Sequence, residues 1–370
     1  MLHAIPDVFR SGLAFALVLG ILVFVHEFGH YLAARLCGVH VEVFSIGFGK
    51  AITSWVDQHG TRWKIAWLPL GGYVKMHGQE RPQDVSAEVR ATWIPGRTFH
   101  EKSVLRRAIC VAAGPIANFL LAMVLFAGLF VSMGKPVTLP VVGDVLPGSA
   151  ADQAGLKAND RIDSISGQPI QKFEDIQHII ASHPDDTLSL TITRGGATRT
   201  VEAHIQAQGS GSQRTGLLGI RGGTIEYYHI GLGAALWGGV VQTWDVTAET
   251  VQGIGQMISG ARGTEDLGGP LRIAQLSGQV AELGIANLVS FIAVLSVNLG
   301  LINLFPIPVL DGGHLLFYFA EAVRGRPLPA RAQEYGFRAG LAVLASLFIF
   351  ATWNDLSNIG LFHWVAHLIG

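Results

Sequence analysis

Four stretches of this chain stay apolar long enough to cross a lipid bilayer, which takes roughly 20 mostly apolar residues on a helix. They run over about Val8–Val25 (continuing less purely to Leu36), Leu105–Val131, Ile285–Leu304 and Phe337–Thr352. Between the second and third the pattern changes. From Pro140 to Gln206 short alternating runs such as Arg161–Ile165 and Thr187–Thr193 are separated by turns such as Ser166-Gly167-Gln168-Pro169, which predicts a small strand-rich domain. Gln206–Thr215 reads as a Gly/Ser/Gln linker. Two weakly amphipathic helical stretches follow between about Ile230 and Leu283, broken at Gly268-Gly269-Pro270, and their pattern predicts helices at the outer membrane surface. The last residues, Trp353–Gly370, have the pattern of another interfacial helix.

Composition agrees with a membrane protein. Of 370 residues, 49% are hydrophobic and only 14% charged, against about 25% charged in soluble chains; mean hydropathy is +0.40. That balance excludes a disordered chain. The net charge of −1 gives no polycationic field, so no nucleic-acid partner is expected. Two cysteines exclude a disulfide scaffold and a zinc site made of Cys alone. Lys and Arg concentrate between the first and second spans (Lys50 to Arg107) and between the third and fourth (Arg324 to Arg338). Basic loops stay in the cytoplasm, so both termini and the central domain are expected outside, with Cys37 and Cys110 near the reducing side. The first stretch is read as a retained span, because no small-residue cleavage site follows it.

That first span carries His26-Glu27-Phe28-Gly29-His30. Residues i and i+4 share a helix face, so both imidazoles can reach one Zn2+, with Glu27 beside it to take a proton from water. The motif is short and occurs by chance in many helices, so on a soluble helix it has roughly even odds at best of marking a metal site; inside a span, two His and a Glu are costly and mark a functional site. Seventeen residues separate Phe9 from His26, roughly 25 Å of helix, which places the cluster toward the cytoplasmic side. A catalytic zinc usually takes three protein ligands. After the third span comes Asn303-Leu304-Phe305-Pro306-Ile307-Pro308-Val309-Leu310-Asp311-Gly312-Gly313-His314. Pro306 and Pro308 break the helix, Gly312 and Gly313 allow close backbone approach, and Asp311 is the one carboxylate. Asp311 is therefore the choice for third ligand; an N-cap for the next helix is its alternative, and His314 is a further ligand candidate.

HEFGH with NLFPIPVLDGGH resembles the site-2 protease family of intramembrane zinc metalloproteases, in particular its RseP-type bacterial branch, the regulators of envelope stress. Phe44–Lys50 and Pro69–Met76 are similar to that group's membrane-associated β-hairpin region, and Gly114-Pro115-Ile116-Ala117-Asn118 to its second-span motif. The resemblance implies that His26, His30 and Asp311 bind zinc, that Glu27 is the catalytic acid/base, and that Asn303 holds substrate backbone; Pro306, Gly72 and Tyr73 are further substrate-binding candidates. Gly143–Ile162 resembles a PDZ domain of bacterial proteases, one module where the RseP pattern has two in tandem. Its groove is a candidate site for a peptide or a cleaved C-terminus, or the module acts as a size filter.

The expected architecture is a polytopic α-helical membrane protein of four transmembrane helices with a β-hairpin region and an inserted α+β PDZ domain. Its divisions are residues 1–137 (first two spans and hairpin), 138–206 (periplasmic PDZ domain), 207–284 (linker and surface helices) and 285–370 (last two spans). The expected location is a bacterial inner membrane. Expected substrates are single-pass membrane proteins, by resemblance anti-sigma factors after a first cut or remnant signal peptides. A substrate helix must unwind before cleavage, and a strand edge at Val41–Ser45 or Gly72–Met76 could pair with the unwound segment. The competing reading is a non-catalytic PDZ-bearing membrane adaptor, for which Glu27 would be dispensable. A membrane-anchored soluble peptidase lacks a third ligand in the outer segment, and a transporter would show repeats that are not seen.

Overall fold

The structure, a computed structural model, describes residues 7–80, 85–209, 214–260, 263 and 268–358. In chain order it begins with α1 (Asp7–Leu36), the long strands β1 (Val41–Val56) and β2 (Arg62–Met76), the short α2 (Ala87–Ala91) and α3 (Val104–Met133). A strand-rich section follows: β3 (Lys135–Thr138), β4 (Val142–Val145), α4 (Ala150–Gln153), β5 (Arg161–Ile165), β6 (Gln168–Pro169), α5 (Phe173–Ala181), β7 (Thr187–Arg194), β8 (Ala197–His204), β9 (Gln206–Gln208), β10 (Thr215–Leu217), β11 (Ile220–Gly222) and β12 (Ile225–Tyr228). The chain ends in helices α6 (Leu232–Ile258), α7 (Pro270–Glu282), α8 (Ile285–Leu304), α9 (Asp311–Arg324) and α10 (Ala330–Asn358). The end of the expected C-terminal interfacial helix, from residue 359 on, lies outside the described residues.

Among the described residues four helices are long and apolar enough to span a bilayer: Phe9–Leu36, Val104–Met133, Ile285–Leu304 and Ala330–Ser357. The chain is a polytopic helical membrane protein. The fourth span extends beyond the apolar stretch Phe337–Thr352 at both ends, because the charged turn with Arg331 and Glu334 before it and the polar turn with Asn354 and Asp355 after it are helical as well. Two compact units divide the chain, residues 1–129 with 236–370, and residues 130–235.

In the first unit small residues let the spans approach. A Cβ on Gly29 would fall 2.7 Å from the Ala117 Cβ, and one on Gly300 3.1 Å from the Pro115 carbonyl oxygen. Without a hydrophobic drive between helices in lipid, such close van der Waals packing and interhelical hydrogen bonds hold the bundle; the Ser296 hydroxyl, for instance, donates to the Asn118 backbone carbonyl at 2.8 Å. α7 packs on α1 with an ion pair between Arg10 and Glu282. Its N-terminus is capped by the buried Asp355 of α10, which accepts from the Gly269, Leu271 and Arg272 amides. α6 runs along α3 and α8: Gly239 packs on the Met123 carbonyl and Thr250 hydrogen-bonds Asn298 at 3.0 Å. The weak amphipathic pattern of this stretch does not show that packing. Gly239, Thr243 and Val246 form the buried seam that the pattern underweights, being small or polar.

β1 bends so that Val41–Ile46 pairs with Gly72–Met76 on one side and Val43–Ile46 with Arg62–Ile65 on the other, while Ala51–Val56 pairs with Arg62–Ala66. Residues 72–76 thus form a sheet edge. The inner end of this sheet packs with Tyr31, Ala34, Phe99 and Val111 in one core cluster; the far end exposes Ile52, Trp55 and Trp67.

The second unit is α+β. A four-stranded sheet in the order β6-β5-β7-β8 packs on α5 around Ile162, Ile176, Leu190 and Ile192. Ser166 and Gly167 both have positive φ at the turn read from sequence. The segment with a linker's composition is partly strand: Gln206–Gln208 pairs with Thr215–Leu217, β11 returns to β4, and β12 to β3. The compact unit therefore ends at 235 rather than 206. Backbone pairing needs no apolar side chain, so Gly- and Gln-rich strands resemble linkers in sequence.

Candidate metal centre

The site lies in the first unit where α1, α3 and the α8–α9 turn meet. His26 and His30 are one turn apart on α1. Asp311 is the first residue of α9, and Leu310, not Asp311, is the N-cap, with no side-chain capping bond. The capping alternative for Asp311 therefore does not describe this helix. Gly312 and Gly313 explain the following residues, since a Cβ at either would run into the backbone of Leu304 or Ile307. Only glycine lets the first turn of α9 pack onto the chain leaving α8, which brings Asp311 back to α1. Val309 adopts φ +128°, a strained conformation for a β-branched residue, two positions before the carboxylate.

Three ligand atoms converge. His26 Nε2 and His30 Nε2 are 3.2 Å apart, and Asp311 Oδ2 lies 3.2 Å from His26 Nε2 and 3.5 Å from His30 Nε2. A tetrahedral zinc with bonds of about 2.0–2.1 Å has ligand–ligand edges of about 3.3–3.4 Å. The triangle has the size of one face of that tetrahedron. Asp311 Oδ2 is buried with no hydrogen-bond partner, which a cation would satisfy. Two imidazoles and a carboxylate are also the borderline donor set that zinc takes in hydrolytic sites. The residues present fit the ion.

Both imidazoles are supported from behind. His30 Nδ1 faces the Cys110 carbonyl at 2.9 Å, and His26 Nδ1 faces the Asn118 amide at 3.2 Å. The triangle opens into a cavity of about 950 Å3 whose wall includes Glu27, Gly72, Tyr73 and Asn303. Gly72 sits against α1, where a Cβ would fall 2.9 Å from Glu27 Cγ and 2.8 Å from Val23 Cγ1. Pro306 is outside that wall, in the turn it helps to form. His314 lines the cavity with its ring against Phe337 at 5.3 Å, apart from the three converging atoms. At the far end Arg107 donates to Glu321 at 2.7 Å and ties α3 to α9.

The model of peptidase family M50 matches residues 14–347, and that span takes in every residue of the triangle. The chain belongs to peptidase family M50. Among its M50 relatives, a Rhizobium meliloti protein provisionally named a zinc metalloprotease is 43% identical over 363 residues, covering 93% of this chain and 95% of the relative. Metalloprotease MmpA of Caulobacter vibrioides is 38% identical over 387 residues, covering 95% and 96%. Among solved structures, the PDZ domain of an SdrC-like protein from Listeria monocytogenes matches 22% of this chain and 82% of its own, at 22% identity and a TM-score of 0.19.

Sequence reasoning did not find the supporting contacts. Asn118 and Gly114 stand in the sequence only as parts of a second-span motif, and Cys110 acts through its backbone. A polar Asn inside a span was the available signal.

Proposed function

We propose that this M50 chain is an intramembrane zinc endopeptidase that hydrolyses single-pass membrane proteins within or beside their transmembrane segment. The observation that carries this reading is the triangle of His26 Nε2, His30 Nε2 and Asp311 Oδ2, 3.2–3.5 Å on its edges, on a cavity wall shared with Glu27. The Rhizobium meliloti relative's name, as a zinc metalloprotease, supports the choice of metal.

Zn2+ held by these three residues would supply Lewis-acid polarisation of the scissile carbonyl and ease deprotonation of the attacking water. Glu27 accepts that water's proton and later returns it to the leaving amine. Asn303, at the end of α8, offers amide donors and acceptors to substrate backbone. A substrate helix presents no free carbonyl until it unwinds, and each unsatisfied backbone group in lipid costs several kcal/mol. The edge Gly72–Met76, beside Glu27, can pair with the unwound segment and offset that cost. The basic-loop pattern supports an inner-membrane location with the termini and the strand-rich unit outside and the site toward the cytoplasm. Anti-sigma factors already cut once, and remnant signal peptides, fit such a site as substrates.

The test is cleavage of a tagged single-pass membrane substrate by wild type and Glu27→Gln, with zinc measured on both. Retained zinc with lost cleavage is the expected result. Undiminished cleavage in a preparation free of other proteases would overturn the mechanism, and a chain that neither holds zinc nor cleaves would favour the adaptor.

A further inference from the structure

The two histidines of the triangle are held by partners of different chemistry. His30 Nδ1 meets a backbone carbonyl, 2.9 Å away. A carbonyl only accepts, so the His30 proton sits on Nδ1 and the Nε2 lone pair faces the other two ligand atoms. His26 Nδ1 meets a primary amide, which can donate or accept. With the amide nitrogen toward the ring, the His26 proton belongs on Nε2, the atom 3.2 Å from both His30 Nε2 and Asp311 Oδ2. A proton there occupies the lone pair that a cation needs.

The amide itself indicates the other arrangement. Asn118 is fully buried, and its Oδ1 has no hydrogen-bond partner. A half-turn of the amide plane, which leaves the heavy-atom positions almost unchanged, gives Oδ1 a donor in His26 Nδ1–H. The Asn118 backbone is fixed independently by the Ser296 hydroxyl on α8, so the side chain is presented to α1 from a rigid position.

We infer that Asn118 is a positioning residue of the metal site: its Oδ1 accepts from His26 Nδ1–H and so fixes the tautomer and ring orientation that leave His26 Nε2 free for the cation. This rests on the metal-binding reading proposed above. Histidine ligands generally donate their second ring N–H to an acceptor, and losing that acceptor typically weakens metal binding by about 10–100-fold. The His30 acceptor is main chain and no side-chain substitution removes it; the His26 acceptor is a side chain. The site is therefore tunable through position 118.

The test uses the full-length protein in detergent, with zinc dissociation constants from chelator competition for wild type, Asn118→Leu and Asn118→Asp, and the visible spectrum of each after Co2+ substitution. Leucine keeps the γ-branched shape and removes the hydrogen bond; aspartate keeps an acceptor and has no donor. The expected result is zinc bound about 10–100-fold more weakly by Asn118→Leu, with an altered Co2+ spectrum, and wild-type-like or tighter binding by Asn118→Asp. Wild-type affinity in Asn118→Leu would overturn the inference. So would equal loss in both variants, which would mean that the amide donates. Should Asn118→Leu fail to fold, Asn118→Asp decides alone, retention supporting and loss overturning. If wild type and His26→Ala bind zinc alike, the metal reading itself fails, and with it the role of Asn118.

Discussion

Gly114 of α3 leaves the space that the His30 imidazole fills: a Cβ at position 114 would fall 2.5 Å from Cε1 and 2.8 Å from Cδ2 of that ring. The ring cannot yield without leaving the Cys110 carbonyl that orients it. The metal triangle therefore depends on a missing methyl group on the neighbouring helix.

Gly114→Ala is expected to displace His30, lose zinc and abolish cleavage, while the helix itself tolerates alanine. Gly128→Ala, on the same helix, adds a Cβ with nothing within 4 Å. It should retain zinc and gain up to about 0.5–1 kcal/mol from helix propensity. Zinc content and thermal unfolding of the two variants check this, and a zinc-replete Gly114→Ala would show that the ring has another place to go.

Asp311 Oδ2 is a buried carboxylate oxygen 3.2 and 3.5 Å from the two His Nε2 atoms. Asp311→Asn keeps the shape and removes the charge. Losing one partner of a buried charged cluster typically costs about 3–5 kcal/mol, so zinc affinity should fall by roughly a factor of a hundred or more. Chelator competition measures it. A loss under tenfold would mean that another group of the cavity wall, such as His314, completes the ligand set.

The spans were legible because roughly 20 consecutive apolar residues have few alternatives to crossing a bilayer. The pair His26 and His30 was legible from helical periodicity, and Asp311 from two prolines and two glycines around one carboxylate. The contact of Asn118 with His26 crosses 92 positions between helices, and no local pattern encodes it. Nor could periodicity show α6 packed along α3, since its seam is Gly239, Thr243 and Val246 rather than a large apolar stripe. The pairing of β11 with β4 and β12 with β3 likewise depends on backbone hydrogen bonds to which Gly- and Gln-rich composition is blind.

At Gly72 an added Cβ would meet the Ser45 carbonyl oxygen at 2.7 Å and Glu27 Cγ at 2.9 Å. The carbonyl is held in the sheet and cannot move aside cheaply. Gly72→Ala is expected to push the strand edge away from α1 and lower cleavage at least tenfold, with zinc unchanged because no ligand is touched. Proline at Val74 removes an N–H of the edge strand without filling that space, and it should lower cleavage too. Unchanged turnover in both would remove the edge from substrate binding.

The strand-rich unit carries a pH dependence of its own. Asp160 is fully buried and receives two 2.6 Å hydrogen bonds from Arg194 and a 2.8 Å bond from the Lys157 amide. Burial pushes its pKa up, but the Arg194 and Lys157 hydrogen bonds outweigh this and hold it below the usual carboxylate value. A folded-state pKa below the unfolded one, about 3.9, gives stability that is fully present above that value and is lost as pH falls through the folded one. Asp160→Asn lacks this titration. The stability gap between wild type and Asp160→Asn should therefore be constant above about pH 5 and narrow as pH falls below about 4. Amide exchange at Lys157 and Ile162 in the full-length protein reads it locally. A gap that stays constant down to pH 3 would mean that the Asp160–Arg194 pair contributes no proton-linked stability.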